Sequence, residues 1–214
     1  MLRGAKLYDP RKDSTVPGGS GSHRWGVPST YEWTANTAGR AYNILRGISV
    51  GGAPFYGAFE DASRIPLDTA MAAMNACDEQ VALKAGGTEA RYEGGIETPV
   101  TQEVRQTLKA LAGEMGGRIA TGGKVNIYAG VTQTPIFSFT DGDLVADAPR
   151  SYDDKAGIAS LKNGIAATYL DPAKKWTMVS APPRSSDTDI AADAGFALLD
   201  TFQFDSIQSN ARCQ

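Results

Sequence analysis

The sequence predicts an α+β protein: a small helix-plus-hairpin domain followed by a β-rich domain. Three observations support this. Residues 92–131 read as a strand, an amphipathic helix and a glycine-turned hairpin. The 24 glycines in 214 residues exceed the average usage of about 7% and favour turns and short strands over a helical bundle. Beyond Thr132 the segments read as strands and loops with little sign of a long helix. The expected division is an extended N-terminal arm at 1–32, an α+β domain at 33–131 and an incomplete β-rich domain at 132–214.

Within 92–131, Thr98 is placed to cap a helix and Pro99 to occupy its first position, where no N–H is needed. Val100, Val104, Leu108, Leu111 and Met115 recur at spacings of four, four, three and four, which is one face of a helical period. Gln102, Glu103, Arg105, Gln106 and Lys109 take the other side. Gly116-Gly117 ends the helix. Residues 118–121 and 124–129 then form a hairpin about Gly122-Gly123. Val125, Ile127 and Ala129 alternate with Lys124, Asn126 and Tyr128, so one sheet face meets the helix.

Taken in order, residues 1–32 offer a short strand at Lys6-Leu7-Tyr8, broken afterwards by Pro10, Pro17, the glycine-serine run at 18–22 and Pro28. That run reads as a flexible linker or a ligand-contacting loop. A first helix follows, capped by Thr34 or Asn36, with Ala38, Ala41, Tyr42 and Leu45 on one face and Gly47 as its stop. Residues 48–64 hold Gly51, Gly52, Pro54 and Gly57 among Phe55, Tyr56 and Phe59, so no regular structure is expected there. The three rings either present an interaction surface or fold over the domain edge. Ile65-Pro66 opens a second helix with Leu67, Met71 and Met74 as a core stripe. A hairpin follows from 81–84 to 89–92. Past Thr132, alternation at 136–139 suggests a strand, Asp141-Gly142-Asp143 a turn and 151–155 a polar loop. Residues 163–169 and 176–179 suggest strands, 180–195 a loop, and Phe202-Gln203-Phe204 the last identifiable structure.

Chemistry is sparse. A formal charge of -3 with both signs interspersed proposes neither a nucleic-acid partner nor a membrane surface. No run of eighteen apolar residues suggests a transmembrane segment, and the N-terminus has no signal-peptide pattern. Triad chemistry needs a histidine packed beside a nucleophile, and the single histidine, His23, lies in the glycine-serine arm. Cys77 and Cys213 form no CxxC pair, and Cys77, at an apolar helix face, fits a buried thiol better than a nucleophile. Asp141-Gly142-Asp143 lacks the twelfth-position glutamate of an EF-hand, since Tyr152 stands there. No phosphate-loop or dinucleotide motif accompanies the glycine pairs. No catalytic, cofactor-binding or metal residue is selected, and no cofactor is expected. Phe55, Tyr56 and Phe59 are the candidate interaction surface.

Several phrases together are similar to the central tail-tip hub proteins of long-tailed bacteriophages, the host-specificity protein J and tip-attachment group, with its prophage and gene-transfer-agent versions. They are Tyr31-Glu32-Trp33-Thr34-Ala35-Asn36 before a helix, then Asn75 to Glu79 with the hairpin to Tyr92. Met115-Gly116-Gly117 and Gly122-Gly123-Lys124 follow, then Asn163-Gly164-Ile165 to Tyr169 with Asp171-Pro172 and Trp176. Their order and spacing over about residues 5–210 carry the resemblance, not any single phrase. It implies a structural role without catalytic residues. The family forms a homotrimeric ring at the end of the tail tube, which anchors fibres or a spike and takes part in host adsorption and DNA passage. The implied partners are other tail-tip proteins, further copies of the chain and a host surface receptor. The implied location is the virion tail tip, after synthesis in the bacterial cytoplasm. Hub proteins are much longer, and with the chain stopping at Cys213-Gln214 the expectation is a fragment. The rivals from other classes are a tail-associated cell-wall hydrolase and a carbohydrate-binding module built on the three aromatics.

Overall fold

The first helix packs against the two long helices that follow it. In the computed structural model, which describes residues 5–83, 86–132, 135, 137–143, 157 and 160–210, α1 runs Thr37–Arg46. Asn36 caps it: Oδ1 accepts from the Gly39 N–H at 2.8 Å, while Nδ2 donates to the Met74 carbonyl of the next helix at 2.8 Å. One side chain thus satisfies a helix end and joins two helices. Gly47 stops α1 at φ +87°, a backbone region that glycine enters at little cost. Ala38, Ala41, Tyr42 and Leu45 are buried as the periodicity requires.

The arm expected at 1–32 does not extend. Residues 5–32 fold back on α1, and Tyr8, Pro10, Asp13 and His23 are buried. Asn43 of α1 supplies the reason, since its side chain accepts from the Tyr8 N–H at 3.0 Å and donates to the Tyr8 carbonyl at 2.8 Å. Buried backbone groups need such partners. Leu7 bridges Glu32 and Asp13 bridges Ser22, so the glycine-serine run is a closed turn. A Cβ at Gly19 would overlap the carbonyls of Asp13 and Pro10.

Residues 48–56 also depart from expectation. Glycine and proline suggested irregular chain, but β1 (Ile48–Val50) and β2 (Ala53–Tyr56) form an antiparallel hairpin. Gly51 and Gly52 sit at φ +60° and +83°, the left-handed pair that a two-residue hairpin turn uses. The glycines shape the turn and leave the flanking strands intact. Helix α2 (Leu67–Asp78) buries Met71, Met74 and Cys77. Strands β3 (Gln80–Ala82) and β4 (Thr88–Ala90) pair antiparallel.

Helix α3 spans Val104–Glu114, beginning later than the pattern suggested. Thr98 does not cap it, and Val100 is exposed. Residues 99–102 instead close a turn, with the Gln102 N–H donating to the Pro99 carbonyl at 2.9 Å. The apolar spacing continued one turn beyond the true helix start. The strand expected before it reduces to a bridge between Asn36 and Glu93. Strands β5 (Arg118–Gly122) and β6 (Lys124–Tyr128) make the expected hairpin, with Gly123 at φ +76°. Val125 and Ile127 face inward. Helix α1 packs against α2 and α3, and β6 crosses α2. The result is one cluster that includes Tyr8, Tyr42, Leu45, Met74, Leu111, Met115 and Ile127.

Beyond residue 132 the secondary structure mixes parallel and antiparallel pairing. Strand β7 (Gly164–Asp171) lies at the centre, pairing antiparallel with β8 (Thr177–Ser180) and β9 (Arg184–Ser185), and parallel with β10 (Leu199–Phe204). Between β9 and β10 the expected loop contains α4 (Asp187–Ala192), whose N-cap Ser186 accepts from the Asp189 N–H at 3.3 Å. Asp187 and Asp189 lie in its first turn, where negative charge favours the helix. The strand expected at 136–139 is absent at the described Phe137–Phe139, and Ile136 lies outside the described residues. Asp143 turns the chain as expected, accepting from the Thr140 N–H and hydroxyl at 2.8 Å each. The loop expected at 151–155 and Cys213 also lie outside the described residues. Ala167, Tyr169, Ala181 and Ile207 are the buried cluster of this sheet. Mixed α+β is therefore the fold class. Among the described residues, no helix is long and apolar enough to cross a membrane.

Candidate interaction surface

The structure separates the three aromatics expected to act together. Phe55 and Tyr56 are neighbours on β2, and a strand sends neighbours to opposite faces. Phe55 is exposed, whereas Tyr56 packs against the large cluster and its hydroxyl meets the Thr107 hydroxyl at 2.7 Å. Phe59 is exposed at φ +54°, with its ring close over Gly47, where a Cβ would overlap it. Two rings are thus presented and one is structural, so the trio does not form a three-ring platform.

A larger aromatic group, unforeseen from sequence, surrounds the Tyr8 end of α1. Tyr8 meets Trp25 edge-on at 5.3 Å between ring centres and lies near Tyr31 and Tyr42. The Arg46 guanidinium lies 4.3 Å from the centre of the Trp25 ring, an arrangement favoured by the ring quadrupole. The Lys6 ammonium takes a similar position 4.6 Å over Trp33. Trp25 and Trp33 remain exposed beneath these cations.

Beneath this group Asp13 is a structural node. Its carboxylate accepts from the Tyr8 hydroxyl at 2.7 Å, the Thr15 N–H and hydroxyl at 2.8 and 2.6 Å, and Arg24 at 3.0 Å. Burial opposes its ionisation, but these donors and the Arg24 charge outweigh burial and hold the carboxyl down at about 2. Burial, the bond to Asp13 and its negative charge together push the Tyr8 phenol well up. His23 is buried beside Tyr8. Its Nδ1 accepts from the Asp9 N–H at 3.0 Å and Nε2 stands 4.0 Å from the Glu32 carboxylate. It therefore ties the 9–32 segment together. Cys77 is fully buried, and burial pushes its thiol up to about 11, which suits packing and not attack.

A second buried polar site joins α1 to α3 and was not foreseen from the sequence. Glu114 of α3 accepts from the Thr37 hydroxyl at 2.8 Å and pairs with Arg40 of α1. Among the described residues, the buried Glu114 Oε2 and Arg40 Nε and Nη1 have no hydrogen-bond partner. A Cβ at Gly94 would overlap the Glu114 carboxylate, so glycine is what allows residues 92–95 to cross it. A signal was present: Glu114 shares the α3 face with Thr107 and Leu111, an acid on an otherwise buried stripe. The partners, more than seventy residues away, left none.

In the second region an open depression of ≈ 590 Å³ is lined by Ile165 and Phe202 together with Lys162, Arg184, Asp189 and Asp200. Among the described residues, no group of three or more histidine, cysteine or acidic side chains is placed to hold a metal. No protein-family model matches the chain, and no curated protein is significantly similar to it.

Proposed function

We propose that the chain is a structural, non-enzymatic segment of a phage-type tail tip, within the hub that supports tail assembly, host adsorption and DNA passage. The observation that carries this reading is the ordered series of phrases from Tyr31-Glu32-Trp33 through Asn75–Glu79, Gly116-Gly117 and Gly122-Gly123-Lys124 to Asp171-Pro172 and Trp176. The surface supports it in a second way. Large apolar side chains stand exposed from Trp33 and Phe55 in the first region to Phe139 and Phe202 in the second. Such exposure is expected where neighbours cover the chain on several sides. On this reading the partners are other tail-tip proteins and further copies in a three-fold ring, with a host surface receptor beyond them.

The test is location. Antibodies raised against the chain, applied to tailed particles whose genome encodes it, should place gold at the distal tail tip in electron micrographs. Gold along the tube, or none on intact particles, contradicts the proposal. Release of soluble fragments from peptidoglycan by the purified chain would favour the hydrolase reading instead.

A further inference from the structure

Strand β10 is the longest strand with a free edge among the described residues. It pairs with β7 along one side in unbroken register from Leu199 to Phe204, and among the described residues no strand lies on its other side. Natural sheets guard such edges with proline, lysine, bulges or covering chain, because a free row of N–H and C=O groups is a template for another strand. Two of the hairpins show such guards. Strand β2 contains Pro54 and its pairing with β1 is irregular at Ile48/Ser49, while β5 and β6 carry Arg118 and Lys124. Strand β10, Leu-Asp-Thr-Phe-Gln-Phe, has no proline, no cation and no bulge.

The edge is also ordered in advance. Buried Asn163 accepts from the Leu198 N–H at 2.7 Å and donates to the Phe196 carbonyl and Asp193 carboxylate at 2.8 Å each. Its backbone N–H adds a bond to the Leu198 carbonyl at 3.0 Å. Those contacts hold the start of β10 straight before anything binds, which lowers the ordering cost of a docking event. Asp200, Phe202 and Phe204 alternate along one face, where Phe202 and Ile165 line the depression.

From this geometry we infer that β10 is a docking edge for an extended segment of another polypeptide, which adds as an outer strand beside it. A strand is the occupant because only a second extended backbone supplies acceptors and donors at the ladder spacing. The side-chain chemistry narrows it further. Phe202 offers an apolar contact to the incoming strand, and Asp200, which accepts from the Thr201 N–H at 3.0 Å, offers its carboxylate to a lysine or arginine. The segment therefore alternates apolar and polar residues and carries one cation at the Asp200 end. This does not depend on the tail-tip reading.

The probe is an end-blocked heptapeptide of alternating valine and threonine with one lysine, titrated into the full ¹⁵N-labelled chain. The control is the same peptide with two adjacent central amides N-methylated, so that neither of its edges can pair. Saturable shifts should centre on Leu199–Phe204, β10 amide exchange should slow by about tenfold, and the control should bind about tenfold more weakly. Phe202→Lys, which guards the edge, should weaken binding by about fivefold while leaving α1 and β7 resonances in place. Asn163→Ala tests the ordering argument, but it risks unfolding the sheet, so the decision rests on Phe202→Lys and the methylated control. The inference is overturned by an absence of β10 shifts at ~5 mM peptide, by equal binding of the control, or by shifts centred elsewhere. Concentration-dependent β10 shifts without peptide overturn it too, because the occupant would then be a second copy.

Discussion

Residues 5–131 and the sheet at 160–210 are both assembled from short elements but bury their side chains to different depths. In the first region three helices and the β5–β6 hairpin converge, and side chains from Tyr8 to Ala129 share one cluster. In the second, Ala167, Tyr169, Ala181 and Ile207 are the buried cluster, while Ile165, Met178, Leu199 and Phe202 remain exposed. The first region finishes its core by folding its own N-terminal segment over α1. The second leaves apolar side chains on its sheet and, among the described residues, the β10 edge uncovered. Burial is the main favourable term in folding, so stability should be concentrated in the first region and docking capacity in the second.

The sharpest way to break that comparison is core truncation. Leu111→Ala, at a fully buried position, should cost about 2–5 kcal/mol in denaturant unfolding. Phe202→Ala on the exposed edge should cost about 1 kcal/mol or less. Equal losses would show that the two regions are not built differently.

The ion pair offers a second test. Glu114→Gln leaves Arg40 buried without its counter-charge and should cost about 3 kcal/mol or more, whereas Arg40→Met with Glu114→Leu should recover most of that loss. If the double variant is no better than the single, the pair is not what holds α1 to α3. Loss of the cap comes next: Asn36→Ala removes the bonds to Gly39 and Met74 and should cost about 1–2 kcal/mol.

Acid gives the smallest and most local effect. Asp13 is held below its ordinary value of 3.8, at about 2. Its contribution is therefore complete above the ordinary value and is lost as pH falls from there through about 2. Unfolding followed from pH 6 to pH 2 should show a decline in that window which Asp13→Asn flattens. An unchanged slope in the variant would remove Asp13 as the anchor of the 9–32 segment.

What was legible in the sequence tracks what was local. The α1 face, the α2 methionine stripe and the β5–β6 hairpin could be read because periodicity and turn glycines act over a few residues. The folded-back arm could not, because its cause is one side chain of α1, Asn43, bonding both backbone groups of Tyr8. The β1–β2 hairpin was hidden by its own turn glycines. The late start of α3 shows that periodicity by itself does not mark a cap. Of the expected surface, Phe55 and Phe59 are presented while Tyr56 turns inward to Thr107. The Arg40–Glu114 pair joins residues whose proximity only the tertiary fold creates.

Native-state hydrogen exchange on the isolated chain tests the contrast most directly, because it reports an opening free energy for each amide. The amides of α1, α3 and β6 should open only with global unfolding. Those of β8 and β10 should exchange through a smaller opening at lower free energy, with the outward-facing β10 amides fastest of all. Equal protection across both regions would contradict the account.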